Sequence, residues 1–363
     1  MDEKVKRIVF TGGGTAGHVT PNIALIERLS GEGWDIHYIG SVNGMEKDLV
    51  SAIPGVTYHA ISSGKLRRYA SWQNLLDPFR VLKGIGQSKK LIRELHPDVV
   101  FSKGGFVSVP VVIASGKTPV VAHESDFTPG LSNRIASHFT DQICVTFEDT
   151  LQYVPGKKGV FTGTPIRPEL YHGDRQKALE FTGLTGNKPV LLCMGGSLGA
   201  QRVNELLREA LPRLTPQFDV IHLCGKGKLV ESYAREGYLQ YEYIDRELPD
   251  LMALADIVLS RAGANAVFEL LALNKPAVLV PLPLASSRGD QILNAQYFEK
   301  KGYAKMLDQD AATSDSLADA LQELYRDRAK YVATMEEDTR SDGTESILQI
   351  IKNAAKAQNN PYD

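Results

Sequence analysis

Short runs of β-branched and aliphatic residues alternate along the chain with stretches whose apolar positions recur every three or four residues. That alternation marks parallel sheets covered by helices. In the first half it predicts strands at Arg7–Phe10, Ile36–Ile39, Tyr58–Ile61, Val99–Ser102, Val120–His123 and Ile143–Phe147. In the second half it predicts Val190–Met194, Val220–Cys224, Tyr241–Ile244, Ile257–Ser260 and Ala277–Pro281. Helical spacing follows the first strand of each half. Pro21, tolerated in a first turn, precedes Ile23, Leu25, Ile26 and Leu29, and Val203, Leu206, Leu207 and Leu211 repeat the pattern. A later helix, opening after Ser260, stops at Asn274 with Pro276 behind it. The last spans roughly Ser341–Ala357 and runs into a polar tail, Gln358–Asp363.

Both halves open alike. Arg7–Phe10 runs into Thr11-Gly12-Gly13-Gly14-Thr15-Ala16-Gly17-His18, and Val190–Met194 runs into Gly195-Gly196-Ser197-Leu198-Gly199-Ala200. A strand that ends in glycines and turns into a helix points backbone N–H groups at whatever sits above it, which suits a phosphate. Two such openings about one domain apart imply an α/β protein of two Rossmann-like domains facing a central cleft. The 363-residue length agrees with two domains. The turn-rich stretch Gly159–Pro165 suits a hinge between them. The expected domains are therefore residues 1–163 and 164–340, with 341–363 a helix and tail that can pack back on the first domain.

Composition narrows the class. An apolar fraction of 43% and a charged fraction of 23% are those of a soluble globular protein. Residues 1–163 carry 18 Lys and Arg against 15 Asp and Glu, leaving 23 against 28 for the rest; the asymmetry is too small to point to nucleic acid. Cys144, Cys193 and Cys224 lie far apart in apolar runs, without C-x-x-C spacing. That argues against a disulfide framework or zinc site and for buried thiols in a reducing compartment. Met1-Asp2-Glu3-Lys4 lacks a signal peptide's apolar core, and no apolar run approaches the ~18 residues of a membrane span. A cytoplasmic chain that does not cross a membrane is expected.

The first glycine loop admits a competing reading. Gly12, Gly14 and Gly17 satisfy G-x-G-x-x-G, but a dinucleotide site wants an acid at the end of the second strand. Here that strand runs into Gly40-Ser41-Val42-Asn43 with no carboxylate before Glu46, which counts against NAD. His18 sets this loop apart: its imidazole titrates near neutral pH and can move a proton beside a bound phosphate. Ser102-Lys103-Gly104-Gly105-Phe106-Val107-Ser108 also follows a strand, either as a tight connection or as another phosphate-compatible turn. Three such turns around one cleft suit a diphosphate on each of two substrates. In the second half, Ser260–Glu269 leaves a strand and enters a helix. Glu269 sits there among apolar residues, where a buried carboxylate needs partners, and two vicinal ribose hydroxyls suit it. Arg288-Gly289-Asp290-Gln291-Ile292-Leu293-Asn294-Ala295 opens the next helix. Each polar residue alone reads as a cap or surface position; together they read as a site.

One local cluster stands out. Lys65, Arg67, Arg68, Arg80, Lys83, Lys89, Lys90 and Arg93 are opposed between Lys65 and Arg93 only by Asp77. Leu66, Tyr69, Trp72, Leu75, Leu76, Phe79, Val81, Leu82 and Ile85 are interleaved with them. Two readings stay open: a solvated helix face beside a core face, or an amphipathic surface resting on anionic lipid. Exposure of Trp72 and Phe79 favours the second.

Together these pieces resemble the MurG family of peptidoglycan glycosyltransferases, in glycosyltransferase family 28, over nearly the whole chain. The resemblance rests on Gly13-Gly14-Thr15-Ala16-Gly17-His18, Gly104-Gly105-Phe106-Val107-Ser108 and Gly195-Gly196-Ser197-Leu198-Gly199-Ala200. It rests also on His123-Glu124, Gly163-Thr164-Pro165-Ile166-Arg167, Arg261–Glu269 and Gln291-x-x-Asn294-Ala295. It implies a two-domain GT-B fold whose second half holds UDP-N-acetylglucosamine and whose first half holds a lipid-linked acceptor. N-acetylglucosamine passes to the C4 hydroxyl of MurNAc-pentapeptide on undecaprenyl diphosphate, converting lipid I to lipid II. The anomeric carbon inverts, with no cofactor and no tightly bound metal; the absence of an Asp-x-Asp motif beside the loops agrees. By the family pattern Thr15, Ala16, Gly17, Arg167, Ser197, Ile244 and Gln291 approach the donor, and Glu269 binds its ribose. The acceptor falls to Gly14, Gly104 and Gly105. Attachment at the cytoplasmic face of the cell membrane, as a peripheral protein on an anionic surface, is implied as well.

Inversion needs one displacement, with a base to take the hydroxyl proton. His18 is the favoured base, with Glu124 and Asp126 behind it. N–H groups of the Gly195–Ala200 loop and Arg167 can meet the charge of the leaving diphosphate. Two positions depart from the family pattern. Ala16 replaces a frequent glycine and narrows the space above the backbone, and Asp126 replaces an asparagine that contacts substrate. An aspartate cannot donate as an amide does. Two other functions remain in view: a GT-B transferase with another lipid acceptor such as diacylglycerol, and a UDP-sugar sensor without turnover.

Overall fold

Strand residues buried on both faces have no polar side to alternate with, so they read as continuous apolar runs. The computed structural model, which describes residues 5–64, 73–196 and 199–358, uses its apolar runs in this way. Its contacts divide the chain into two units, residues 1–167 with 342–363 and residues 168–341.

The first unit holds β1 (Arg7–Thr11), β2 (Asp35–Ser41), β3 (Val56–Ile61), β4 (Val99–Ser102), β5 (Val120–Glu124), β6 (Gln142–Val145) and β7 (Gly159–Phe161). They form one parallel sheet in the order β3-β2-β1-β4-β5-β6-β7. Between them run α1 (Thr20–Gly31), α2 (Met45–Ser51), α3 (Gln73–Leu95), α4 (Ser108–Ala114) and α5 (Leu131–Ala136). Side chains alternate across the sheet. Ile8 and Phe10 pack with Leu25, Ile26 and Leu29 of α1 and with Ile347, Leu348 and Ile351 of the C-terminal helix Thr344–Gln358. Val9 points the other way, to a cluster with Ile92 of α3 and Val111 and Val112 of α4.

The second unit repeats the plan with β8 (Val190–Met194), β9 (Asp219–Leu223), β10 (Tyr238–Tyr241), β11 (Ile257–Ser260), β12 (Ala277–Leu279) and β13 (Ala304–Met306). Their order is β10-β9-β8-β11-β12-β13, again all parallel. The helices are α6 (Arg175–Thr182), α7 (Gln201–Leu214), α8 (Leu248–Leu254), α9 (Ala264–Ala272), α10 (Asp290–Lys301), α11 (Ser314–Arg326) and α12 (Arg328–Glu336). Leu191 and Cys193 pack with Val203, Leu206, Leu207 and Leu211 of α7 and with Leu317, Leu321 and Leu324 of α11.

Three elements differ from the sequence reading. β7 forms where a hinge is expected, because Gly159, Val160 and Phe161 pair with Ile143, Cys144 and Val145 at the sheet edge. β13, also at an edge, carries only Ala304-Lys305-Met306 and gives no apolar run to detect. β10 starts three residues before the expected Tyr241, directly after Gly237 with its left-handed backbone (φ 74°), so Ile244 lies past the strand.

Candidate active site

In an open α/β sheet the crevice for a ligand lies outside the carboxyl ends of the strands, where the strand order reverses. In the first unit that point falls between β1 and β4, and in the second between β8 and β11. Each is followed by a glycine loop.

Thr11 ends β1, and the chain passes through Gly12–Thr15 into a 3-10 turn, Ala16–His18. The buried Glu46 carboxylate sits under this loop. It accepts from the Gly14 N–H at 3.2 Å, the Ser41 N–H at 3.0 Å and the Ser41 hydroxyl at 2.6 Å. The first acid after β2 is thus turned inward on the loop, not outward as a ribose-binding acid would be. Gly105, with φ 84°, lies so close that an added Cβ would stand 2.2 Å from the Gly13 carbonyl oxygen. The two loops therefore pack backbone on backbone. His18 is half-buried, with Nδ1 3.0 Å from the Thr15 hydroxyl.

Beside them β5 ends in His123 and Glu124, both buried. His123 Nε2 lies 2.9 Å from the Gly163 carbonyl oxygen and donates to it. Burial, reinforced by the Lys103 ammonium, holds the imidazole well below its ordinary pKa, so the ring is neutral. Glu124 accepts from the Asp126 N–H at 3.0 Å, the Gly130 N–H at 3.1 Å and the Asn133 amide at 2.8 Å. Burial pushes its carboxyl above the usual range, against those donors and Lys103. Asp126 is half-buried in the turn beyond. Lys103, fully buried, donates from Nζ to the Ser125 hydroxyl, and burial lowers its pKa to about 8 against the pull of Glu124 and Asp126.

In the second unit the third loop follows β8; Ser197 and Leu198 lie outside the described residues. Gly199, φ 68°, presses on the Cys224 carbonyl oxygen, 2.1 Å from where a Cβ would be. Ile244 is buried beyond β10. Glu269 lies on α9 with Asn265 and Ala266 on its half-exposed stripe, while Val267, Phe268, Leu270 and Leu271 face inward. Its carboxylate is half-buried, not enclosed among apolar residues as the composition of the helix suggests. Gln291, in the first turn of α10, accepts from the Leu282 N–H at 3.0 Å, and the buried Asn294 donates to the Ala262 carbonyl at 3.0 Å. Arg261 donates to the carbonyls of Val280 (2.9 Å) and Pro281 (3.2 Å), tying β11 to β12.

The anticipated residues thus gather at the carboxyl ends of two sheets. Gly14, Thr15, Ala16, Gly17, His18, Gly104, Gly105, Glu124 and Asp126 end or follow three adjacent strands of the first unit, while Ile244, Glu269 and Gln291 belong to the second. Arg167, half-buried, is the last residue of the first unit before the chain passes to the second. Sequence reasoning overlooked Glu46, Lys103 and Asn133. Only Lys103 carried a usable signal, a lysine between an apolar strand and a glycine pair. Among the described residues no three His, Cys, Asp or Glu side chains stand together as a metal site. No helix among them is long and apolar enough to cross a membrane.

Two doubly wound parallel sheets in one chain, each with a glycine loop at its switch point, make this a protein of GT-B architecture. Comparison with known proteins narrows this. The Glycosyltransferase family 28 N-terminal domain matches residues 8–145, and the Glycosyltransferase family 28 C-terminal domain matches residues 190–353. The chain is 52% identical over 354 residues to the UDP-N-acetylglucosamine–N-acetylmuramyl-(pentapeptide) pyrophosphoryl-undecaprenol N-acetylglucosamine transferase of Geobacillus thermodenitrificans, covering 97% of this chain and 99% of that one. A protein of the same name from Lachnoclostridium phytofermentans is 53% identical over 351 residues, covering 96% and 99%. A crystal structure of Acinetobacter baumannii MurG superposes with a TM-score of 0.77 at 25% identity, over 96% of this chain and 99% of that one. The chain belongs to glycosyltransferase family 28, within which it groups with the MurG transferases.

Proposed function

We propose that the protein transfers N-acetylglucosamine from UDP-N-acetylglucosamine to N-acetylmuramyl-(pentapeptide) pyrophosphoryl-undecaprenol, an inverting transfer in peptidoglycan synthesis. The 52% identity over 97% of the chain to a transferase of that name carries this reading. A phosphate-compatible glycine loop at the switch point of each sheet supports it.

In this reading the second unit holds the donor. N–H groups of the Gly195–Ala200 loop and the Arg167 guanidinium meet the diphosphate, and Glu269 takes the ribose hydroxyls. Gln291 has its carbonyl on the Leu282 N–H and offers its amide hydrogens. Ser197, Ile244, Thr15, Ala16 and Gly17 complete the donor contacts. Gly14, Gly104 and Gly105 receive the acceptor. The C4 oxygen of the acceptor sugar attacks the anomeric carbon as the bond to UDP breaks, and N–H dipoles and guanidinium stabilise the departing diphosphate. His18 takes the hydroxyl proton. Its Nδ1 lies 3.0 Å from the Thr15 hydroxyl, a contact that orients the ring on the loop. Glu124, already holding three N–H donors, shapes the turn after β5 instead.

Attachment to the membrane falls to α3. Lys65, Leu66, Arg67, Arg68, Tyr69 and Trp72 lie outside the described residues, but Arg80, Lys83, Lys89, Lys90 and Arg93 are on the helix. Phe79 and Leu82, 69% and 64% exposed, share a face with Lys83, Lys90 and Arg93. That face suits contact with anionic lipid, each cation adding about 1 kcal/mol, and supports the reading of a peripheral protein at the cytoplasmic surface of the membrane. Incubation with UDP-N-acetylglucosamine and either the undecaprenol-linked acceptor or diacylglycerol tests the function. Product from the first acceptor alone is expected. Product from diacylglycerol alone, or donor binding without any product, overturns the reading.

A further inference from the structure

Lysine is rarely withdrawn wholly from water, yet Lys103 exposes no surface. It directly follows β4, and its backbone N–H donates to the Thr11 carbonyl at 2.9 Å, so the β1–β4 ladder fixes it at the switch point. Its Cβ lies 3.1 Å from where a Cβ on Gly12 would stand, beneath the first glycine loop. At its far end the ammonium donates to the Ser125 hydroxyl. The charged and titratable groups acting on it come from the end of β5 and the turn beyond: the Glu124 and Asp126 carboxylates and the neutral His123 ring. Glu124 has three N–H donors of its own. Asp126 stands where the family pattern has an amide, and a half-buried carboxylate there needs a compensating cation.

We propose that Lys103 is a positioning residue for the transfer reaction: its buried ammonium, anchored on Ser125, balances the Glu124 and Asp126 carboxylates and keeps the turn after β5, with Asp126 as a hydrogen-bond acceptor, in place. The proposal rests on the transferase reading and adds a specificity to it. An ionised carboxylate accepts from a sugar hydroxyl and cannot donate to a carbonyl, so position 126 selects a hydroxyl partner. Lysine and aspartate form a charge-matched pair, and a neutral residue at both positions is the other balanced solution. A neutral residue at only one of them leaves a charge in the interior.

Four proteins test this: the natural chain, Lys103→Met, Asp126→Asn and the double variant, each assayed for kcat and KM across pH 5–10 and for urea unfolding. Lys103→Met should lower kcat more than tenfold and move the acid limb of kcat/KM up by about one pH unit, since losing the cation raises the apparent pKa of the groups beside it. The double variant should recover at least tenfold over Lys103→Met and return the limb to its original place. Losses that simply multiply, with an unmoved limb, would reduce Lys103 to packing. If the natural chain forms no product, the transferase reading fails and the positioning role with it, and only the charge pairing of Lys103 with Asp126 is left to be judged by unfolding. Non-additive midpoints then support it and additive midpoints overturn it. Lys103→Gln, which keeps a hydrogen bond to Ser125 without the charge, repeats the series should the methionine variant not fold.

Discussion

His18 and Glu124 both read as bases in the sequence, and their surroundings separate them. A general base needs a lone pair at the reacting proton. His18 is half-buried on a turn with one ring nitrogen on Thr15, whereas Glu124 has three N–H groups on its carboxylate. His18→Ala should therefore lower kcat at least ~100-fold, the lower end of a general base's contribution, and leave donor affinity unchanged by calorimetry. Near-normal turnover would remove His18 from the role. Glu124→Gln should act on stability instead. The amide cannot accept from three donors at once, and leaving a buried N–H unmet costs about 1–3 kcal/mol, read as a lower urea midpoint at pH 7. An unchanged midpoint with abolished turnover would return Glu124 to the chemistry.

At the scale of elements, α3 and the basic residues that precede it in the sequence carry the sharpest prediction. Phe79→Ser with Leu82→Ser should weaken sedimentation with anionic vesicles, and neutralising Arg67, Arg68 and Lys83 should do so in low salt most of all. Binding unchanged by either set would leave α3 an ordinary solvated face. The same scale explains what could be read from the chain. Ile8-Val9-Phe10, Val99-Val100-Phe101 and Leu191-Leu192-Cys193 are covered on both faces, so their apolar runs mark the central strands directly. Edge strands have one neighbour and few buried residues, which is why Gly159–Phe161 resembles a turn and Ala304–Met306 nothing at all. The glycine loops were legible because their backbones need positive φ and close approach. Glu46 was not, because a charged side chain turned inward by tertiary contacts has no period to betray it; Lys103 had only its place between an apolar strand and a glycine pair.

Each unit has its own sheet and its own core, so unfolding need not be a single step. Each also buries a neutral histidine. In the first, His123 titrates well below the ordinary range; in the second, His222 is pushed down to about 3 by burial and then by Arg208, with its nitrogens on Tyr238 (2.7 Å) and Asn204 (2.9 Å). Between pH 6.5 and about 3 the unfolded chain binds a proton at His222 that the folded unit refuses, so stability is full above 6.5 and falls with pH through that window. By pH 5 the loss reaches roughly 2 kcal/mol from this one ring. Urea unfolding at pH 7 and pH 5 should therefore show both units weakening. Excess UDP-N-acetylglucosamine identifies the second unit, which holds most of the proposed donor contacts, because a ligand at a hundred times its Kd raises that transition by about 2.7 kcal/mol and moves the other less. In His222→Gln the donor-sensitive transition should lie lower at pH 7 and shift less between pH 7 and pH 5, while the other keeps its full acid shift. If both transitions kept that shift, the acid sensitivity would belong to carboxylates, not to the buried imidazole.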